Sequence, residues 1–167
     1  TEGRRVSGCD AGFRSLATGG ISFIPGPVVI MIGVYAAAHL VLTRTTFGRY
    51  VYAIGGNEEA TRLSGVAVRF HKTMIYGVAG LMSAVAAVIL TARLNSAQPF
   101  AGIMYELDAI AATVIGGTSL MGGQGTLAGT LVGALIMGVL RNGLNLLGVS
   151  SFLQQIVIGA VIVGAVL

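Results

Sequence analysis

Two uncharged stretches constrain the fold of this chain more than any other feature. Thr73–Ala92 contains 20 residues without a charge, and Ala109–Leu140 contains 32. A membrane-spanning helix needs about 20 consecutive apolar residues, so the first stretch predicts one transmembrane helix. Only 10% of the 167 residues are charged and the mean hydropathy is +0.86, whereas soluble domains carry about 25% charged residues. The fold class is therefore predicted to be all-α, a polytopic transmembrane helix bundle.

The pattern of apolar blocks divides the chain into a polar segment, residues 1–20, which stays unassigned, and a partial transmembrane domain, residues 21–167. Spans are predicted at about 24–43, 73–92 and 151–167, with a broken hairpin at 109–140 and a loop at 44–72. The chain starts at Thr1 and ends within an apolar run, so we expect a piece of a larger membrane protein. Its single cysteine, Cys9, allows no internal disulfide and forms no metal site.

The 32-residue block must be interrupted, because one helix of that length would be about 48 Å long, against a hydrocarbon core of ~30 Å. Glycines in its middle predict two shortened helical arms joined by a turn. Such backbone at membrane depth must lie against protein or a water-filled cavity, which places the turn near the working centre of the protein. The predicted turn residues are Gly116, Gly117, Thr118, Ser119, Gly122, Gly123 and Gly125.

The most polar segment, "GGNEEATRLSGV", predicts a short capped helix. Asn57 is a favoured N-cap, Glu58 and Glu59 suit the positive end of the helix dipole, and Gly65 suits the C′ position. A helix of about seven residues is unstable alone, so we expect it either to be an ordinary loop helix or to dock on a partner. Its loop, 44–72, holds five cations and 93–108 holds one, which predicts a cytoplasmic location, although Arg4, Arg5, Arg14 and Arg141 fall on the outer side.

Other polar and small residues have less specific interpretations. Gly125, Gly129 and Gly133 recur every fourth residue and predict close helix packing. Glu106 and Asp108 are predicted at the outer mouth of the short arm, as helix capping residues or as contacts of a solute or partner. The side-chain amides of Asn142 and Asn145 are expected either to hydrogen-bond to backbone groups or to contact a polar solute. No phosphate-loop lysine or nucleophile elbow is present, and the cations flank apolar blocks, so neither nucleotide binding, catalysis nor nucleic acid binding is expected.

The segments "FGRYVYAIGGNEEATRLSGV", "IPGPVVIMIGV" and "ARLNSAQPFAGIMYELDAIAATVIGGTSLMGGQGTLAGTLVGALIMGVLRNGLNLLGVSSFLQQIVIG" resemble the C-terminal half of a bacterial sugar-importer permease. The family is the ribose, xylose and arabinose type of ATP-binding-cassette transporter. The resemblance covers about residues 21–167, and it implies a multi-pass protein of the bacterial inner (plasma) membrane that is a transport subunit and not an enzyme.

The resemblance implies three protein partners: a second permease subunit, a cytoplasmic ATPase that binds ATP and Mg, and a periplasmic sugar-binding protein. No cofactor is expected on this chain. The segment similar to the family's coupling helix, which sits in a cleft of the ATPase, comprises Asn57, Glu58, Glu59, Ala60, Thr61, Arg62, Leu63, Ser64 and Gly65.

Two alternatives stay open. A secondary transporter or channel for a small polar solute would use the broken block as its solute site, but the predicted spans hold no acidic residue to carry protons. A structural membrane subunit would leave transport intact when deleted. The identity of the sugar and the choice between homodimer and heterodimer do not follow from the sequence.

Overall fold

The computed structural model describes residues 6–7, 20–21, 24–97 and 102–166. Helices dominate this part of the chain: α1 Gly26–Arg44, α2 Thr46–Gly56, α3 Glu58–Leu63, α4 Val68–Leu94, α5 Tyr105–Ile115, α6 Leu127–Leu146 and α7 Ser151–Val166. Two antiparallel pairs of two-residue strands accompany them, β1 Val6–Ser7 with β4 Ser96–Ala97 and β2 Gly20–Ile21 with β3 Ile24–Pro25. The predicted all-α class is confirmed, while most of the polar segment 1–20 lies outside the described residues.

By length and composition, three of the described helices are suited to crossing a membrane, namely α1, α4 and α6. Helix α1 begins beside Pro27, whose missing N–H is harmless in a first turn. Helix α4 has 27 residues, about 40 Å, so it extends beyond the predicted span 73–92 at both ends. Its first two turns include Arg69 and Lys72, because a helix can continue from the membrane into water.

The loop predicted at 44–72 is largely helical. It contains α2 and α3 as well as the start of α4. His71 is predicted as a loop residue, but it lies in the first turn of α4. Its ring contacts the rings of Phe47, Tyr50 and Phe70 at centroid distances of 6.1, 4.9 and 5.7 Å, respectively. These aromatic contacts hold the start of α2 against α4 and stabilise both helices. Such contacts between separate segments could not be predicted from the polar sequence of this loop.

The broken hairpin has unequal arms, so the prediction of two shortened arms is wrong for the second. Helix α5 has 11 residues and α6 has 20, about 16 and 30 Å respectively. Helix α6 continues six residues past the predicted end at Leu140, through Asn142 and Asn145, which the sequence had placed beyond the hairpin. The reason is Arg141, whose charge is paired within the hairpin and therefore does not end the helix.

The described chain divides into two compact units, Thr1–Val51 with Arg62–Ala101 and Tyr52–Thr61 with Gly102–Leu167. The core of the second unit lies where α5, α6 and α7 meet, around Ala111, Ala112, Met137 and Ile158. Ala111 is fully buried. Small side chains in this core let the three helices approach closely, which favours dispersion contacts in a setting without a hydrophobic driving force.

Candidate functional site

The predicted capped helix is α3, and its caps form as the sequence indicates. The Asn57 Oδ1 atom accepts a hydrogen bond from the Ala60 N–H at 2.9 Å, as an N-cap should. Glu58 and Glu59 occupy the first turn and Arg62 the last. The helix closes through Ser64 and Gly65, where the Gly65 N–H donates to the Arg62 carbonyl at 3.0 Å and Gly65 has φ +84°.

Two side chains of α3 differ in environment. Thr61 is buried, and its hydroxyl donates to the Asn57 carbonyl oxygen at 2.8 Å. Leu63, at the end of the helix, is 78% exposed. A large apolar side chain displayed on a short, doubly capped helix is a feature that suits docking into a partner.

The Gly-rich turn begins where α5 ends in a Schellman motif. The Gly117 N–H donates to the Val114 carbonyl at 2.9 Å, and the Thr118 N–H donates to the Thr113 carbonyl at 3.0 Å. Gly117 has φ +82°, the left-handed conformation that this motif requires and that glycine adopts without strain. The break in the apolar block is therefore built into the local sequence.

The turn then closes on itself and leads into α6. The Ser119 N–H donates to the Gln124 carbonyl at 3.0 Å, and the Gly122 N–H donates back to the Ser119 carbonyl at 3.1 Å. Thr126 caps α6, since its side chain accepts from the Gly129 N–H at 3.0 Å. Each of these bonds satisfies a backbone group that would be costly to leave unpaired in a membrane protein.

The end of α2 packs directly against this turn, backbone to backbone. A Cβ atom added to Gly122 would lie 2.7 Å from the Gly55 carbonyl oxygen, and one added to Gly123 would lie 2.7 Å from the Gly56 Cα atom. The Tyr52 hydroxyl donates to the Gly125 carbonyl at 2.9 Å and fastens the same junction. The structure thus brings the broken-helix turn to the residues that immediately precede α3.

Two of the three predicted packing glycines join the hairpin arms. A Cβ atom on Gly129 would collide with the Gly116 carbonyl oxygen, and one on Gly133 would collide with the Ala112 carbonyl oxygen. Gly125 does not belong to this stripe, because it precedes the N-cap of α6 and faces the Thr118 side chain. The prediction of close packing is correct for Gly129 and Gly133 and wrong for Gly125.

Asp108 and Arg141 form an ion pair between α5 and α6. The Arg141 Nη1 atom lies 2.5 Å from the Asp108 Oδ2 atom. The other carboxylate oxygen, Oδ1, is buried and has no hydrogen-bond partner among the described residues. Asp108 lies in the first turn of α5, at the end of this short arm that is remote from the Gly-rich turn, and its position at the outer mouth stays a prediction.

The remaining candidates have separate surroundings. Glu106 is exposed in the first turn of α5. The Asn145 Oδ1 atom accepts a hydrogen bond from Gln154 Nε2 at 2.9 Å, which ties the end of α6 to α7, and the same amide nitrogen donates to the Val149 carbonyl at 2.8 Å. Asn145 therefore has a structural partner. Asn142 lies in α6.

The sequence reasoning missed Tyr52, Gly55 and Arg141 as site residues. No sequence signal singles out Tyr52. Asp108 and Arg141 did carry a signal, because opposite charges immediately flank the two ends of the uncharged block 109–140. A block that folds into a hairpin brings its two ends together, so the pair follows from the predicted turn.

Comparison with known proteins gives the family. Residues 2–166 match the family model described as the permease component of branched-chain amino acid transport systems. The ribose import permease protein of Bacillus subtilis (strain 168) is 54% identical over 169 residues, covering 100% of this chain and 52% of the relative. The corresponding protein of Escherichia coli (strain K12) is 59% identical over 144 residues, covering 86% and 45%.

A xylose transport system permease protein of Escherichia coli (strain K12) is 49% identical over 143 residues, covering 86% of this chain and 36% of the relative. The chain thus spans about half the length, or less, of the curated relatives it matches. No solved structure matches it. The relatives are transport components rather than enzymes, and the predicted resemblance is confirmed. This chain belongs to the family of permease components of branched-chain amino acid transport systems, multi-pass proteins of the bacterial inner (plasma) membrane.

Proposed function

We propose that the full-length protein is the permease subunit of an ATP-driven importer for a ribose-like pentose. The observation that carries this proposal is the identity of 54% and 59% to two ribose import permease proteins, across most or all of this chain. The family description refers to branched-chain amino acids, but the relatives with high identity are named for ribose and xylose. A pentose is therefore the better substrate assignment.

The ATPase contact is assigned to α3 and its flanks, Asn57–Gly65. This helix combines an N-cap bond, a left-handed closing glycine and an exposed Leu63. A six-residue helix gains its stability from its caps and from whatever it docks on, because isolated helices of that length do not persist. A cleft on an ATPase that accepts Leu63 would supply the missing contacts.

A movement of α3 would be transmitted to the membrane helices through the Gly-rich turn. Gly55 and Gly56 lie next to Asn57 in the chain and touch the turn of the broken hairpin. Atoms in backbone contact cannot move toward one another, so displacement of α3 displaces the turn and the helices attached to it. The permease is thereby switched between two conformations by nucleotide-dependent movement of the ATPase.

The complex proposed around this chain contains two permease subunits, two ATPase subunits that hold ATP and Mg, and a periplasmic binding protein that delivers the sugar. Every part of the ATP chemistry is assigned to the ATPase. This chain supplies the membrane path and the docking helix.

The test is uptake of radiolabelled ribose into liposomes that contain the full-length permease and its ATPase, with the binding protein outside and ATP inside. We expect uptake that needs ATP hydrolysis and persists in the presence of a protonophore. We expect Leu63→Ser to reduce sugar-stimulated ATPase activity and uptake together, because this exposed side chain contributes to docking and not to the fold.

Three results would overturn the proposal. Uptake that continues without the ATPase and collapses with the proton gradient would indicate a secondary transporter. Uptake of leucine in place of ribose would favour the substrate class in the family description. Normal coupling in Leu63→Ser, with normal assembly of the complex, would remove α3 from the ATPase contact.

A further inference from the structure

An apolar cavity of about 370 Å³ lies between α1, α2 and α4, within the first compact unit. Helix α1 contributes Val34 and Leu42 to its wall, and α4 contributes Ile75 and Met82. Every lining side chain is apolar. The volume falls within the range of about 300–1,000 Å³ that ligand sites occupy, and the function proposed above makes no use of this cavity.

One end of the cavity lies where the three helices meet. Phe47 of α2 lines the cavity, and its ring stacks on His71 in the first turn of α4 at a centroid distance of 6.1 Å. The end of α1, the start of α2 and the start of α4 therefore come together at this end. Lys72 follows His71 directly, and Arg44 is the last residue of α1, so two cations accompany the junction.

Arg44 and Lys72 continue the helix faces that line the cavity. On α1, the lining residues Ala37 and Val41 are followed by Arg44 three positions after Val41. On α4, Lys72 precedes the lining residue Ile75 by three positions. Residues three and four apart share a helix face, so both cations extend the apolar wall at the same end of the cavity.

The charge around the cavity has one sign. The segments 24–51 and 62–97, which form the described helices of this unit, contain Arg and Lys but no Asp or Glu. Arg49 and Arg69 lie in the first turns of α2 and α4 and add to the positive charge at this end. An apolar cavity with a cationic rim complements an amphiphile whose polar end is anionic, and clustered cations beside membrane helices attract anionic lipids.

The depth of the cavity matches one leaflet of a bilayer. Val34 and Leu42 are eight positions apart, which is about 12 Å along α1, and half of a hydrocarbon core of ~30 Å is about 15 Å. A transmembrane helix from the part of the full-length permease outside this chain would need contacts over the whole core. An acyl chain needs only the depth of its own leaflet, so a lipid fits better.

We propose that this cavity binds an anionic phospholipid, with an acyl chain between α1 and α4 and the phosphate at Arg44 and Lys72. The predicted cytoplasmic position of the loop 44–72 places this lipid in the inner leaflet. Lipid tails are as apolar as the cavity wall, so the acyl chain does not distinguish one phospholipid from another. The charge of the headgroup sets the selectivity, and each cation contributes about fivefold in affinity.

The test uses the full-length permease in phosphatidylcholine liposomes that contain a low mole fraction of a lipid with a photoactivatable acyl chain, either phosphatidylglycerol or phosphatidylcholine. Adducts on α1 and α4 are counted by mass spectrometry. We expect about 30-fold more adduct from phosphatidylglycerol, because two cations act together. The double variant Arg44→Gln with Lys72→Gln should bring this ratio close to one, whereas Arg93→Gln, in the last turn of α4, should leave it unchanged.

A second pair of variants tests the position of the acyl chain. Ala38 lines the cavity, so Ala38→Phe fills it and should lower labelling by either lipid at least about fivefold. Ala36 is exposed and lies on another face of α1, since residues two apart do not face the same way. Ala36→Phe is therefore the matched control, and it should label like the parent.

Four results would overturn the lipid site: equal labelling by the two lipids, an unchanged ratio in the double variant, equal labelling of Ala38→Phe and Ala36→Phe, or loss of labelling when inorganic phosphate is added. Absence of adducts on α1 and α4 with both lipids would assign the cavity to a protein segment and would also overturn it. Labelling is measured without a transported solute. Uptake of leucine in place of ribose would therefore contradict the proposed function and leave the lipid site standing.

Discussion

Replacement of Gly55 by alanine tests the contact between α2 and the Gly-rich turn. An added Cβ atom would collide with the Gly123 backbone nitrogen and would lie 3.2 Å from the Gly123 Cα atom. Carbon atoms normally pack at about 3.5–4.0 Å, so the turn has to move. Overpacking of this kind costs about 1–3 kcal/mol.

Gly56→Ala is the matched control, because a Cβ atom at Gly56 meets nothing within 4 Å. Both glycines end α2, and alanine favours a helix over glycine by at most about 1 kcal/mol at either position. The difference in uptake between the two variants therefore reports only the contact between Gly55 and the Gly-rich turn. The overpacking cost applies only to the conformation in which the Gly-rich turn contacts Gly55. A cost of about 1–3 kcal/mol for that conformation shifts the conformational equilibrium about 5- to 150-fold.

The assay is ATP-driven ribose uptake by the full-length complex, with the ATPase rate measured in the same vesicles. We expect Gly55→Ala to keep ATP hydrolysis while uptake falls at least about fivefold below that of Gly56→Ala. Equal uptake in the two variants, with equal amounts of complex, would refute the idea that this contact carries the movement.

Three further predictions follow from contacts in the second unit and in α3. Tyr52→Phe removes the bond to the Gly125 carbonyl and should lower the uptake-to-ATPase ratio by about fivefold, the equivalent of ~1 kcal/mol, whereas an unchanged ratio would make the bond dispensable. Asn57→Ala removes the N-cap bond and should destabilise α3 by about 1 kcal/mol, seen as faster proteolysis of the loop, and unchanged cleavage would argue against the cap. Gly133→Ala should lower the melting temperature of the purified permease because its Cβ atom meets the Ala112 carbonyl, whereas Gly138→Ala, with nothing within 4 Å, should not, and equal melting temperatures would contradict the packing.

The helical membrane fold could be predicted because its causes are local. Thr73–Ala92 is uncharged over a length that a membrane requires, and the described helix α4 contains it. The break after Ile115 likewise follows from Gly117, which the closing motif of α5 needs at a positive φ. The caps of α3, Asn57 and Gly65, are a further local signal that the structure confirms.

The contacts between distant segments could not be predicted in the same way. Nothing in the sequence around Tyr52 states that its hydroxyl reaches Gly125, which is 73 positions away in the chain. The end of α6 was placed too early because a cation normally marks a membrane boundary, but Arg141 is neutralised by Asp108 inside the hairpin. Tertiary pairing overrides a local charge signal at that position.

The central claim is that α3 is the point at which this chain receives work from an ATPase, and a photo-crosslinking residue at Leu63 tests it most directly. Leu63 is 78% exposed on α3, and Leu81, 58% exposed on α4, is the control because it lies within an apolar span. In the full-length complex we predict an adduct with the ATPase subunit from position 63 and none from position 81. An assembled, transporting complex that gives no ATPase adduct from position 63 would contradict the account.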